Sequence, residues 1–155
     1  MKGLHPSANV EGKRSYEWKT GGRHMMARAE YVPGVCNIGP AEIRRRQQSG
    51  WFGLAVTVLA WAAFFVFRVP APWRLLLFLP AAAGATGFFQ AALHFCAGFA
   101  MQGVFNFGSE VGKTDTVEQA EFRRKDRQKA RLIGLYSGLV GIAVAAAGYF
   151  LVFPS

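Results

Sequence analysis

Charge is scarce in this chain. Only 17% of the 155 residues are charged, against roughly 25% in an average soluble domain. Acids are scarcer than bases, nine Asp and Glu against eighteen Lys and Arg, which leaves a net charge of +9. Low charge with 52% hydrophobic residues excludes an ordinary soluble globule and a disordered chain. The charge density is also too low for a chain devoted to nucleic acid. Only two cysteines are present, Cys36 and Cys96, so neither a disulfide framework nor a C-x-x-C signature exists. One histidine, His94, lies in the apolar part of the chain, which excludes bis-histidine haem ligation within one chain. The first 50 residues hold no long apolar run, and a cleaved secretory signal needs an apolar core of about 7–15 residues. The first membrane segment is therefore expected to be an uncleaved anchor. Residues 1–35 read as a polar, disordered leader, or translation starts at Met25 or Met26. Carboxylates lie only in the surface segments, and no Ser/His/Asp set is visible. The G-K-T of Gly108–Thr114 lacks the first glycine of a phosphate loop. These absences weigh against an enzyme and leave any cofactor unknown.

What is present is three apolar stretches. Trp51–Phe67 is 17 residues without charge, about 26 Å as a helix, which spans the ~30 Å hydrocarbon core if its arginine flanks snorkel. Leu75–Phe105 is 31 uncharged residues, too long for one span and too short for two with a turn. Its polar residues begin at Gln90, so a span at 73–93 is expected, followed by an interfacial segment from His94 to Phe107. Pro80 should kink that span. Leu132–Phe153 is 22 residues rich in Gly and Ala and spans comfortably. The reading is an all-α integral membrane protein with three transmembrane helices (51–67, 73–93 and 132–153) and amphipathic helices at the membrane surface. Residues 36–155 form its membrane domain.

Sixteen basic residues then fall on one side of the membrane and two on the other. The positive-inside rule places the N-terminus in the cytoplasm and the C-terminus outside, in a bacterial inner membrane. Gly39-Pro40-Ala41-Glu42 marks a helix start that continues into the first span. Asp115 or Thr116 should cap a basic cytoplasmic helix over 115–131, which can run on into the third span.

Three constellations are candidates for function. Gly134, Gly138, Gly141, Ala145 and Gly148 recur at spacings of 4, 3, 4 and 3, a stripe that lets membrane helices approach closely. It serves either assembly with other chains or packing against the protein's own spans. Cys36, His94 and Cys96 could meet at the inner membrane surface as a thiol or metal site, although His94 and Cys96 point apart on one helix unless it breaks near Gly98. Gln90, His94, Gly98, Gln102 and Asn106 form only a slowly drifting row. Arg44, Arg45, Arg46, Arg123, Arg124 and Lys125 are expected to contact anionic lipid headgroups rather than nucleic acid. Phe88, Phe89, Phe95 and Phe99 could line a pigment or quinone pocket.

The string Cys36-Asn37-Ile38-Gly39-x-x-Glu42-Ile43-x-x-Arg46-x-x-x-Gly50 resembles the entry motif of the YgaP-like bacterial inner-membrane domain, over about residues 36–107. Cys96 to Gly103 resembles the cysteine-and-glycine turn that closes the second span of that family. The chain departs from the pattern in its third span, in lacking a proline after Cys96, and in having no rhodanese module. The chain is also similar to short bacterial membrane proteins with a Cys-Asn-Ile-Gly start. The resemblance implies a hairpin unit for anchoring or self-association and supplies no catalytic residue. The expectation is a non-enzymatic accessory subunit that forms a homo-oligomer or joins a larger membrane complex. Thiol or metal chemistry at Cys36, His94 and Cys96, for redox or sulfur transfer, is the alternative.

Overall fold

The computed structural model describes residues 31–150. The leader expected over 1–35 therefore falls almost wholly outside the described residues, as do the alternative starts at Met25 and Met26 and the end of the third span. The order of elements is α1 (Pro40–Val66), α2 (Ala71–Arg74), a 3-10 turn (Leu75–Leu77), α3 (Phe78–Ala92), α4 (Ala97–Gln102), β1 (Val104–Phe105), β2 (Asp115–Thr116) and α5 (Ala120–Phe150).

Three helical segments, Pro40–Val66, Ala71–Ala92 and Ala120–Phe150, are long and apolar enough to cross a membrane. Their surfaces agree. Large apolar side chains face outward along α1 and α5, among them Phe52, Leu59, Leu135 and Ile142, and Phe67 just past α1 is 77% exposed. A soluble protein does not carry apolar patches of that extent. In lipid they cost nothing, while the helices satisfy their own backbone groups. The chain is an all-α, three-span membrane protein.

Both α1 and α5 pack on α3. The α1–α3 contact is built from glycine. A Cβ on Gly53 would lie 2.5 Å from the Gly84 Cα, and one on Gly87 would lie 2.5 Å from the Gly50 nitrogen. Only hydrogen fits at those positions, so the two backbones touch directly. In lipid this dispersion contact replaces the hydrophobic drive that water would supply. The buried residues of α1 are Glu42, Gly50, Gly53 and Thr57, a narrow stripe, and Thr57 Oγ1 donates to the Gly53 carbonyl at 2.7 Å. Between α1 and α5 an apolar groove of about 260 Å³ runs over α3, lined by Leu54, Ala81, Gly84, Phe88 and Val144.

Pro80 disturbs the second span one turn before itself. Its ring crowds the carbonyl four residues back, and it has no N–H to give. The helix responds by tightening to 3-10 over Leu75–Leu77.

One expectation needs correction. The basic helix does not begin at 115. Asp115–Thr116 instead pair antiparallel with Val104–Phe105, and the Val117 N–H donates to the Gly103 carbonyl at 2.8 Å. Gly103, at φ +73°, ends α4 and turns the chain into that ladder. The helix therefore starts at Ala120 and runs unbroken for 31 residues. The segment from His94 to Phe107, expected at the membrane interface, packs against the N-terminal half of α5, where Phe95 and Ala100 join Ala130 and Ile133 in the core.

Candidate functional site: a buried polar cap and an open helix face

At the N-terminal end of α1 the chain builds a cap from polar side chains. Asn37 is fully buried. Its Oδ1 accepts from the Cys96 N–H at 2.6 Å, and its Nδ2 donates to the Cys96 carbonyl at 3.0 Å. One amide thus satisfies the buried Cys96 N–H and adds a second donor to its carbonyl, which also accepts from the Ala100 N–H at 3.1 Å. Asn106, also buried, donates its backbone N–H to the Asn37 carbonyl and accepts from the Gly39 N–H at 2.7 Å. Glu42 is 1% exposed. Its Oε1 accepts from the Gly112 N–H at 2.8 Å and from Asn106 Nδ2 at 3.4 Å. That carboxylate anchors the 108–114 loop to the first turn of α1.

Arg46, one turn below, bridges two groups. Its Nη2 lies 3.7 Å from Glu42 Oε2 and donates to Cys96 Sγ at 3.0 Å. The guanidinium also sits 5.8 Å from the centre of the Phe99 ring, within cation–π range. Cys96 caps α4, and its sulfur accepts from the Phe99 N–H at 3.5 Å. Arg46, an expected headgroup contact, is drawn inward by Glu42 at i−4 and Cys96, with 22% of its side chain exposed.

The trio Cys36, His94 and Cys96 comes together in the backbone but not in the side chains. The Asn37 N–H donates to the His94 carbonyl at 3.2 Å, so the two segments are adjacent. Cys36 turns its thiol toward the Ile38 carbonyl at 3.8 Å, and burial pushes that thiol's pKa up. Cys96 is buried on Arg46, and the His94 side chain is exposed. Among the described residues no group of three His, Cys, Asp or Glu side chains could hold a metal ion.

His94 has a conformational role. It sits at φ +50°, just past the end of α3, where the Phe95 N–H closes the helix on the Gln90 carbonyl at 2.9 Å. The left-handed conformation costs a non-glycine residue about 1 kcal/mol or more. His94→Gly is therefore expected to raise stability by up to about 1 kcal/mol, read as a higher midpoint of detergent unfolding. A ligand-binding role would instead show as loss of a bound group.

A second tie joins the cap to α5. Asp126 is fully buried. It accepts from Tyr31 Oη at 2.9 Å through Oδ2 and from the Gly34 N–H at 2.7 Å through Oδ1. Burial, then the bond to Asp126 and its charge, push the Tyr31 phenol well above its ordinary range. A raised folded-state pKa means the folded form holds the proton more tightly. The contribution to stability is complete below the ordinary phenol pKa of about 10 and is lost as pH rises beyond it. Wild type should lose more stability than Tyr31→Phe between pH 9 and pH 11. Parallel declines in the two proteins would contradict the assignment.

The small-residue stripe of α5 divides in two. A Cβ on Gly141 would meet the Phe78 ring at 2.8 Å and Ala82, one on Gly148 would meet Leu77 at 2.9 Å, and Ala145 is buried. These three pack inside the protein. A Cβ on Gly134 or Gly138 would meet nothing within 4 Å. The upper two glycines are thus unused by the described fold.

The expected headgroup contacts divide likewise. Arg123 is tied back, its Nε donating to the Val117 carbonyl at 2.6 Å and its Nη2 to the Glu118 carbonyl at 3.1 Å. Lys125 pairs with Glu121 at 2.8 Å. Arg44, Arg45 and Arg124 remain exposed. The four phenylalanines separate too. Phe88 and Phe89 line the groove over α3, Phe95 is core, and Phe99 lies beneath Arg46. No family model, curated protein or solved structure matches this chain.

Proposed function

We propose that this protein is a non-catalytic membrane subunit that assembles through the upper outer face of α5, with a second copy of itself or with a larger complex. The observation that carries this reading is the open space at Gly134 and Gly138. A four-residue glycine spacing with no neighbour inside the fold presents a shallow backbone surface to another helix. The polar residues of the cap, Glu42, Arg46, Cys96 and Asn106, are engaged with one another or with backbone, which favours a structural role for the cap. The likeness to the YgaP-like domain is part of the proposal. Asn37, Gly39, Glu42, Arg46 and Gly50, which carry it, are the residues that build the cap and the first helix contact. We place the protein in a bacterial inner membrane with the cap and the N-terminus in the cytoplasm, on the strength of the sixteen basic residues that share that side.

Gly138→Leu tests the reading, because leucine fills the open face without touching the fold. The mass of the purified protein in lipid nanodiscs or mild detergent should fall from oligomer to single chain. An unchanged mass would sink the proposal.

A further inference from the structure

We propose that the N-terminal part of α5 binds the phosphate of an anionic phospholipid headgroup, held by Arg124, Arg127 and Arg131. A groove of about 520 Å³ lies on this part of the helix, lined by Ala120, Arg123, Arg124, Arg127, Gln128 and Arg131. Positions 120, 124, 127 and 131 follow a 4, 3, 4 spacing, which stacks them on one side of the helix. Arg123 forms one wall, fixed by the Val117 and Glu118 carbonyls. Arg124, Arg127 and Arg131 have no hydrogen bond, ion pair or ring contact among the described residues. The acids of α5 leave them largely uncompensated, since Glu121 pairs with Lys125 and acts on Arg124 only through its charge, and Asp126 is buried against Tyr31 and Gly34. Three guanidiniums with open donors in one groove match the oxygens of a phosphate, which they can hold by paired hydrogen bonds.

The position in the fold selects a lipid over a free phosphate. Arg131 is followed at once by Leu132, the first residue of a charge-free run to Phe150. The groove therefore opens at the level where headgroups meet hydrocarbon. Beside the Gly134 and Gly138 face, the helix below Arg131 carries Leu132, Leu135 and Leu139, each about half exposed. Cations above and an apolar track below suit one ligand with a phosphate at its head and an acyl chain behind it. This inference does not rest on the proposed assembly, and its variants leave Gly134 and Gly138 intact.

The test is native mass spectrometry of the full chain, titrated in detergent with phosphatidylglycerol or with phosphatidylcholine of the same chain length. Wild type should retain phosphatidylglycerol preferentially. The combined change Arg124→Gln, Arg127→Gln and Arg131→Gln should cut that retention by tenfold or more, on the order of a factor of five per cation. It should leave phosphatidylcholine adducts and the helical circular dichroism unchanged. The matching Arg→Lys set, which keeps charge and folding but loses the paired hydrogen bonds, should retain only part of the preference. Arg44→Gln with Arg45→Gln, exposed arginines outside the groove, should retain all of it. An equal loss in that control would show general attraction and overturn the site. So would inorganic pyrophosphate or short DNA binding the groove as tightly without lipid.

Discussion

Gly87→Ala is expected to destabilise the protein by about 3 kcal/mol, although it adds a single methyl group. The added carbon would lie 2.5 Å from the Gly50 nitrogen and 2.8 Å from the Arg46 carbonyl oxygen. Both are backbone atoms of a helix and cannot rotate away, so α1 must move as a body. Overpacking in a closed interface costs about 1–3 kcal/mol, and more where nothing can relax. Displacing α1 would also pull Glu42 and Arg46 from their partners in the cap. The same substitution at Gly134 should act in the opposite direction. A Cβ there meets nothing within 4 Å, so what remains is the gain of alanine over glycine in a helix, up to about 1 kcal/mol. Unfolding of both variants and wild type by titration with a denaturing detergent, followed by far-ultraviolet circular dichroism, measures the contrast. Equal shifts in the two variants would refute the backbone contact between α1 and α3.

Asn37→Ala should cost nearly as much, for a different reason. The substitution strands the buried Cys96 N–H, which costs about 1–3 kcal/mol, and removes one of the two donors to the Cys96 carbonyl, leaving it the Ala100 N–H at 3.1 Å. The loss should be local before it is global, because α4 is held at its start by this amide. A thiol reagent reports it. In wild type Cys96 is 1% exposed and should react far more slowly than in the variant. Asn37→Asp keeps the acceptor but removes the donor and adds a buried charge, so it should not rescue. Unchanged Cys96 protection in both variants would contradict the role given to Asn37.

The parts legible in the sequence are those with local causes. Three apolar runs announce three spans because lipid demands them residue by residue. Gly39-Pro40 announces the start of α1, and an unbroken series of helix formers carries α5 from the surface into the membrane. The cap was not legible, because its causes are tertiary. Glu42 reads as an ordinary first-turn acid, yet its Oε1 accepts from the distant Gly112 N–H. Asp126 reads as one acid in a basic helix. The one signal is its phase with Ala130, Ile133, Ser137 and Gly141, the buried row of α5. Gly50 and Gly53, with Gly84 and Gly87, carry a sequence signal of their contact: paired glycines three residues apart in two neighbouring spans. The stripe on α5 was visible as a whole, but its division could not be. That depends on where α3 crosses α5, and Phe78 and Leu77 fill only its lower part.

Assembly through the upper face of α5 is the central claim, and cysteine cross-linking in native membranes tests it most directly. Gly138→Cys places a thiol on the open face, and Phe52→Cys places one on α1 at a position 73% exposed to lipid. Mild oxidation should give a covalent dimer with Gly138→Cys, above the background of Cys36 and Cys96 in wild type, and none with Phe52→Cys. Dimer from Phe52→Cys alone, or from neither position, would contradict the account.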